Sequence, residues 1–342
     1  MDGSRNETPE GLLNQNLLGD KPLGLSPFFD EDEDKNFSIG VRRYLMKKIF
    51  TKIINFVDSK FCYITTFPAL IVILLVVGFP TVFGIYTSFF VRNILRRAIY
   101  FNGIGNYISL IQDPSFWRYL AHTAIYTGGS VGVGFTLALC LALALNSGIR
   151  FRSFFIVAIL LPWMTPAVSG CIMWRWMVHD IYGLLNVILV KLGLLNQNFF
   201  WLGNPFTAMF FLILVDAWYR IPLSTLILFA GMQRIPSEPY DAAKVDGAGR
   251  WYCVKHITLP LIRPEILIVL VIHSMFSFRE FGIPFLFTGG GPVDNTETLA
   301  LYIYKNANLF LRQGYAASLS VVMFIMITIF VVGYFKAIGR KV

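Results

Sequence analysis

Six apolar segments, each long enough to cross a bilayer, set the terms for any fold this chain can adopt. They run over about 62–90, 122–145, 154–178, 207–232, 262–287 and 316–338. A helix needs roughly 20 mainly apolar residues to span the hydrocarbon. The expected fold is an all-α membrane protein with six transmembrane helices. Only 14% of the residues are charged, against about 25% in an ordinary soluble domain. That excludes the common soluble enzyme classes.

Orientation follows from where lysine and arginine fall, because they concentrate on the cytoplasmic side. With the N-terminus inside, the cytoplasmic segments hold nineteen of the 29 and the external loops seven; Arg175, Arg220 and Arg279 fall within the spans. Both termini are therefore expected in the cytoplasm. Arg92, Arg96 and Arg97 run against this bias, because they follow the first span on its external side. The formal charge of +9 is attributed to this membrane-side asymmetry and not to nucleic acid.

The regions outside the spans differ from one another. Residues 1–37 are polar and carry an acidic run from Asp30 to Asp34. They lack the apolar surface to fold alone and are expected to form a disordered cytoplasmic tail. Residues 38–60 place Leu45, Ile49, Ile53 and Phe56 at helical spacing among Arg42, Arg43, Lys47, Lys48 and Lys52, the pattern of an amphipathic helix on a cytoplasmic membrane face. The first long apolar run starts near Phe61. That is too late for a cleavable signal peptide, so the first span is expected to act as an uncleaved insertion signal. Cys62, Cys140, Cys171 and Cys253 lack metal-ligand spacing and read as small core residues. Neither a metal nor a cofactor is expected. Gly128, Gly129, Gly132 and Gly134 crowd the second span and suit close helix packing.

Ionisable groups inside a membrane helix cost about 2.5–3.5 kcal/mol each on insertion scales and mark candidate sites. The fourth span holds Asp216, Trp218, Tyr219 and Arg220 ahead of Pro222; the fifth holds His273, Ser274 and Ser277, then Arg279 and Glu280. Asp216 and Arg220 lie four residues apart, on one helix face. Pro222 removes the amide that would meet the Trp218 carbonyl, and broken helices with free acceptors near the midplane are a recurring transporter site. Asp216, Trp218, Tyr219, Arg220, His273 and Ser277 are the candidate solute contacts. The competing reading is a buried ion pair, a kink and ordinary packing. Trp174, Arg175 and Trp176 read as an interfacial aromatic belt with a snorkelling arginine.

The most specific signal is a polar loop between the fourth and fifth spans. It reads Ile-Pro-Ser-Glu-Pro-Tyr-Asp-Ala-Ala-Lys-Val-Asp-Gly-Ala over 235–248, with Trp251, Ile257, Leu259-Pro260 and Pro264 beyond. Ser237 suits an N-cap and Pro239 a first turn. Glu238 and Asp241 favour a helix N-terminus. Ala242 and Ala243 keep the helix surface low, and Gly247 permits a left-handed ending. A second short helix is expected over about 248–257, with the chain turning back at Leu259-Pro260.

This loop resembles the EAA loop of permease subunits in binding-protein-dependent, ATP-binding cassette importers, with Asp241 in place of the family's glutamate. Further likenesses are Leu161-Pro162-Trp163, Pro166-Ala167-Val168, Tyr182 to Asn186, and Thr288 to Pro292 followed by Thr296-Glu297-Thr298 and Tyr302. They resemble the carbohydrate type and cover roughly residues 60–340. The resemblance implies a type I importer permease fold over 61–342, with a coupling loop at 235–264. It implies that Glu238, Tyr240, Asp241, Ala242, Ala243, Asp246 and Gly247 engage an ATPase dimer. The other implied partners are a second permease subunit, an extracytoplasmic solute-binding protein and membrane lipid. The implied location is a bacterial or archaeal inner membrane, crossed several times. The chain lacks a Gly-x-x-x-x-Gly-Lys-Ser/Thr phosphate loop, so nucleotide hydrolysis is expected on a partner chain. An importer of a non-sugar solute and an ion-coupled carrier are the alternatives.

Overall fold

The computed structural model describes Tyr63, residues 65–93 and residues 98–338. The expected tail, the amphipathic helix of 38–60, and Arg96 and Arg97 lie outside the described residues. The chain divides into two units, Met1–Leu75 and Val76–Val342. All contacts below belong to the second.

Among the described residues, four helices are long and apolar enough to span a membrane singly: α1 (Thr65–Ser88), α3 (Pro114–Asn146), α7 (Pro205–Gln233) and α13 (Gln313–Ile338). Between α1 and α3 lie an antiparallel hairpin, β1 (Phe90–Asn93) and β2 (Ala98–Phe101), and a short helix α2 (Gly105–Gln112). Two bent pairs bring the number of spans to as many as six. The first pair is α4 (Arg152–Met164) with α5 (Ala167–Met177), bent by 97°. A short helix α6 (Leu184–Lys191) follows it. The second pair is α9 (Arg250–Leu261) with α10 (Arg263–Phe278), bent by 71°. Helix α8 (Glu238–Val245) joins α7 to α9, while α11 (Gly282–Phe287) and α12 (Leu299–Tyr304) join α10 to α13.

Three sequence expectations change. Helix α3 starts eight residues before the apolar run, because Asp113 caps it by accepting from the Ser115 amide at 2.9 Å and Pro114 takes a first-turn position. Its polar first turns are invisible to a hydropathy window. The expected single third span is broken at Thr165 and Pro166, both extended, since proline disfavours helical geometry in the residue before it. Pro222, expected to break α7, sits inside one continuous helix. Pro222 is buried, and neighbouring helices let a packed membrane helix tolerate one missing hydrogen bond.

Helices α3 and α7 form the centre. Glycine permits close approach at two of the four positions in α3, to α7 at Gly129 and to α10 at Gly134. A Cβ on Gly129 would stand 2.6 Å from Ile213 Cδ1, and one on Gly134 2.4 Å from His273 Cε1. Gly128 and Gly132 face open space and border an apolar groove against α10 and α13. One apolar cluster, around Tyr126, Leu212, Val215 and Phe287, joins α3, α5, α7 and α11. A second, around Ala138, Leu145, Leu228 and Ile262, closes the opposite end.

Candidate functional site

Asp216 is fully buried on α7 and accepts three hydrogen bonds. Ser130 of α3 and Ser277 of α10 each donate a hydroxyl at 2.5 Å, and Arg220 donates from one helical turn on at 3.1 Å. The same Arg220 nitrogen reaches Glu280 Oε2 at 2.5 Å. The other oxygen of Glu280 accepts the Gly282 and Ile283 amides at the start of α11, at 2.9 and 3.3 Å. His273 Nε2 meets Ser130 Oγ at 3.0 Å. One carboxylate thus ties three helices together, and one guanidinium ties that knot to a fourth. Tyr126 Oη, Arg220 Nε, Thr225 Oγ1 and His273 Nδ1 are buried with no protein partner. Protein interiors rarely leave so many polar atoms unpaired in one region.

Beside the knot is a cavity of about 170 Å³. Tyr219, Arg220 and His273 line it, with Trp163 and Phe276 as aromatic walls. Of the six sequence candidates, these three face the cavity. Asp216 and Ser277 stand behind it, fully inside the knot. Trp218 is not in the lining: its ring meets Trp174 edge-on at 5.9 Å. Trp174 is correspondingly part of the packed interior and not of an exposed belt, whereas Trp176 is 65% exposed. Tyr219 directs its hydroxyl toward the carbonyls of Pro166 and Ala167, each at 3.3 Å, at the break between α4 and α5. A Cβ on Gly170 would sit 1.8 Å from that hydroxyl, so glycine is what lets Tyr219 reach it. Ser130 escaped sequence reasoning as a site residue, and Glu280 was noted as an ionisable group but not counted among the six candidates. Ser130 lies in a glycine-rich stretch that reads as packing, and Glu280 follows the end of α10.

At the other candidate region, α8 forms as expected, with Pro239 in its first turn. Ser237 caps it differently from expectation: its side chain makes no capping bond, and its carbonyl accepts the Tyr240 and Asp241 amides at 3.0 Å each. The C-terminus closes through two bonds, Gly247 N–H to Lys244 O at 3.1 Å and Ala248 N–H to Ala243 O at 2.8 Å, with Gly247 at φ +75°. That is a Schellman ending. Ala243 is buried and Tyr240 Oη meets Thr258 Oγ1 at 2.9 Å, which fastens α8 to α9. Glu238, Asp241, Ala242 and Asp246 remain exposed; Asp241 pairs with Lys244 at 2.8 Å. Val245 at the end of α8 is 88% exposed, and Trp251 in the first turn of α9 is 74% exposed. The second helix starts and ends later than expected, and the chain turns at Ile262, not at Leu259-Pro260. Arg234, just past α7, pairs with the buried Glu265 of α10. A Cβ on Gly231 would touch Glu265 Cγ at 2.6 Å.

Comparison with known proteins bears on both regions. Residues 131–342 match the family model described as binding-protein-dependent transport system inner membrane component. The chain is 32% identical to the sulfoquinovosyl glycerol transport system permease protein SmoG of Agrobacterium fabrum, over 85% of this chain and 94% of the relative. It is 31% identical to the trehalose/maltose transport system permease protein MalF of Thermococcus litoralis, over 86% and 99%. Among solved structures, a chain of a bacterial ABC transporter that imports the acidic polysaccharide alginate shares the fold. The TM-score is 0.73 with 22% identity, covering 84% of this chain and 99% of that one. The chain is therefore a multi-pass inner-membrane permease subunit and belongs to the family of binding-protein-dependent transport system inner membrane components.

Proposed function

We propose that this chain forms part of the solute pathway of an ATP-driven sugar importer, working by alternating access. The sugar assignment rests on what the relatives are named for, trehalose/maltose and sulfoquinovosyl glycerol among them. A separate ATPase dimer hydrolyses the nucleotide, a second permease subunit pairs with this one, and an extracytoplasmic binding protein delivers the solute. Both termini and the 235–264 loop face the cytoplasm.

The observation that carries the reading is α8: a short helix with a Schellman ending, pinned to α9 through Tyr240, whose outer face is exposed and carries Val245. Glu238, Asp241, Ala242, Asp246 and Gly247 form or shape the face that meets the ATPase, and Tyr240 anchors it. A pull on α8 passes through Tyr240 and Thr258 to α9, and through Arg234 and Glu265 to the junction of α7 with α10. Those two helices carry Asp216, Arg220, His273 and Ser277. The cavity beside Arg220 is smaller than the roughly 300–1,000 Å³ of small-molecule pockets. It therefore takes a single ring at most until a facing subunit completes it. There Tyr219, Arg220 and His273 offer hydrogen bonds, with Trp163 and Phe276 covering a sugar's apolar face.

The test is ATP-dependent sugar uptake by proteoliposomes holding the assembled complex, with Gly247→Val as the variant. A β-branched residue at φ +75° is strained, by about 1–2 kcal/mol for left-handed geometry alone. Insertion is expected to survive while ATPase association and uptake fail. Wild-type uptake that follows an ion gradient without ATP would overturn the reading. A cysteine at Asp294 is expected to label from outside intact cells.

A further inference from the structure

The external arginines that run against the charge bias need a reason of their own. Arg92 sits in β1, next to the end of α1, and Arg312 directly precedes α13. Gly314 brings these segments together: a Cβ there would lie 1.9 Å from Phe90 O and 3.0 Å from Arg92 N. Both arginines line an open polar pocket of about 500 Å³, with Ser109, Asp113, Tyr302 and Tyr315. Neither has an ion-pair partner among the described residues. Asp113 does not neutralise them directly. Its carboxylate is taken up by the Ser115 amide at 2.9 Å and by the hydroxyls of Tyr302 and Tyr315 at 2.8 Å each. Two arginines against one carboxylate leave the pocket with a net charge of +1.

The wall of the pocket is amphipathic. Asn106 and Ser109 of α2 line the pocket. Ile108 and Ile111, with Ile104 just before the helix, are 49%, 61% and 64% exposed. Phe101 of β2 and Trp117 of α3 extend this apolar strip, at 69% and 54% exposure. The strip joins the end of one membrane span to the start of the next, which places it at the membrane surface. A short amphipathic element there buries its apolar face at the headgroup boundary, and tryptophan is enriched at that depth. Arginine's forked donors fit a phosphate better than any other side chain does.

We propose that Arg92 and Arg312 hold the phosphodiester headgroup of an anionic phospholipid, at the membrane surface whose depth the exposed Ile104, Ile108, Ile111 and Trp117 mark. The headgroup carries one negative charge, matching the pocket's net charge. The lipid thereby fixes the hairpin and α2 against the start of α13.

The test is native mass spectrometry of the delipidated full-length protein, titrated with phosphatidylglycerol and with phosphatidylcholine. Wild-type protein should bind phosphatidylglycerol at least tenfold more tightly, and the preference should shrink with added salt. Arg92→Gln/Arg312→Gln should abolish the preference, and the lysine pair should restore part of it. Equal affinity for the two lipids in the wild type would overturn the proposal without any variant having to fold. A double variant with unchanged lipid preference but weakened docking of the solute-binding protein would also overturn it, and would assign the pocket to a protein carboxylate.

Discussion

The α8 loop and the Asp216 knot are both polar insertions into an apolar chain, yet they are built in opposite ways. Helix α8 is local: its start, its Schellman ending and its exposed face come from residues 237–248. The knot is distributed: its charges and donors come from Ser130, Asp216, Arg220, His273, Ser277 and Glu280, on elements up to 150 residues apart. The loop spends its side chains on the outside, where another chain can use them. The knot spends them on one another. A local device fails when one backbone position fails, whereas a distributed one survives the loss of one partner and fails when shared partners are lost together.

The comparison is broken most severely at Gly247. Gly247→Val should reduce ATP-driven uptake to background while leaving the amount of inserted protein unchanged, as read by membrane fractionation beside transport. Gly247→Asn, which tolerates left-handed backbone better, should recover a substantial share. If asparagine were no better than valine, the glycine's role would be close approach and not conformation.

The knot should respond by degrees. Asp216→Ala leaves two buried hydroxyls without an acceptor, at about 1–3 kcal/mol each. Arg220, however, keeps Glu280. The loss should therefore fall near the lower end of the roughly 3–5 kcal/mol seen when a buried pair is broken, read as lost thermal stability of the assembled complex. Asp216→Ala with Glu280→Gln should cost more than the sum of the two, because Arg220 then has no counter-charge. Strict additivity would show that the pair does not act through Arg220.

Trp218 and Phe276 sharpen the distinction between structure and pathway. Trp218→Ala empties space against Trp174 and should cost stability, within the roughly 3–5 kcal/mol of large aromatic deletions, with sugar affinity unchanged in whatever assembles. Phe276→Ala should do the reverse, raising the apparent Km for sugar with a smaller stability loss. An affinity defect in the Trp218 variant would return that ring to the solute path.

The smallest expected effect is at Asp113. Partial burial works to raise its carboxyl, but hydrogen bonds from Tyr315, Tyr302 and the Ser115 amide outweigh burial and leave it below its ordinary value. A depressed carboxyl stabilises the fold above the unfolded value of about 3.9 and loses that contribution as pH falls through the folded value. Asp113→Asn should lower stability slightly at pH 7 and flatten its decline below about pH 4, where the unfolded-state carboxyl begins to protonate.

These contrasts explain what the sequence disclosed. The spans were legible because bilayer thickness imposes their length, and α8 was legible because caps and glycine endings are local. Asp216 with Arg220 was legible because four residues make one helix turn. Ser130 was not, since no periodicity links a serine in a glycine-rich helix to an aspartate 86 residues on; Glu280 was legible as an ionisable group, but its bond to Arg220 was not. Trp218 packs against Trp174 and not into the cavity for a related reason. Neighbours in sequence on a helix face different directions, and only packing reveals that Tyr219 meets Pro166 while Trp218 meets Trp174. The 97° break at Thr165 and Pro166 was hidden because an apolar run reads the same whether it is straight or bent.

The central claim is that α8 delivers force from an ATPase, and its exposed Val245 offers direct access to it. A single cysteine in place of Val245, in an otherwise cysteine-free complex that retains transport, should crosslink to the ATPase subunit through a short bifunctional reagent. The crosslink yield should change between the nucleotide-free and ATP-bound states. An active complex with no ATPase crosslink from this position in either state would contradict the account.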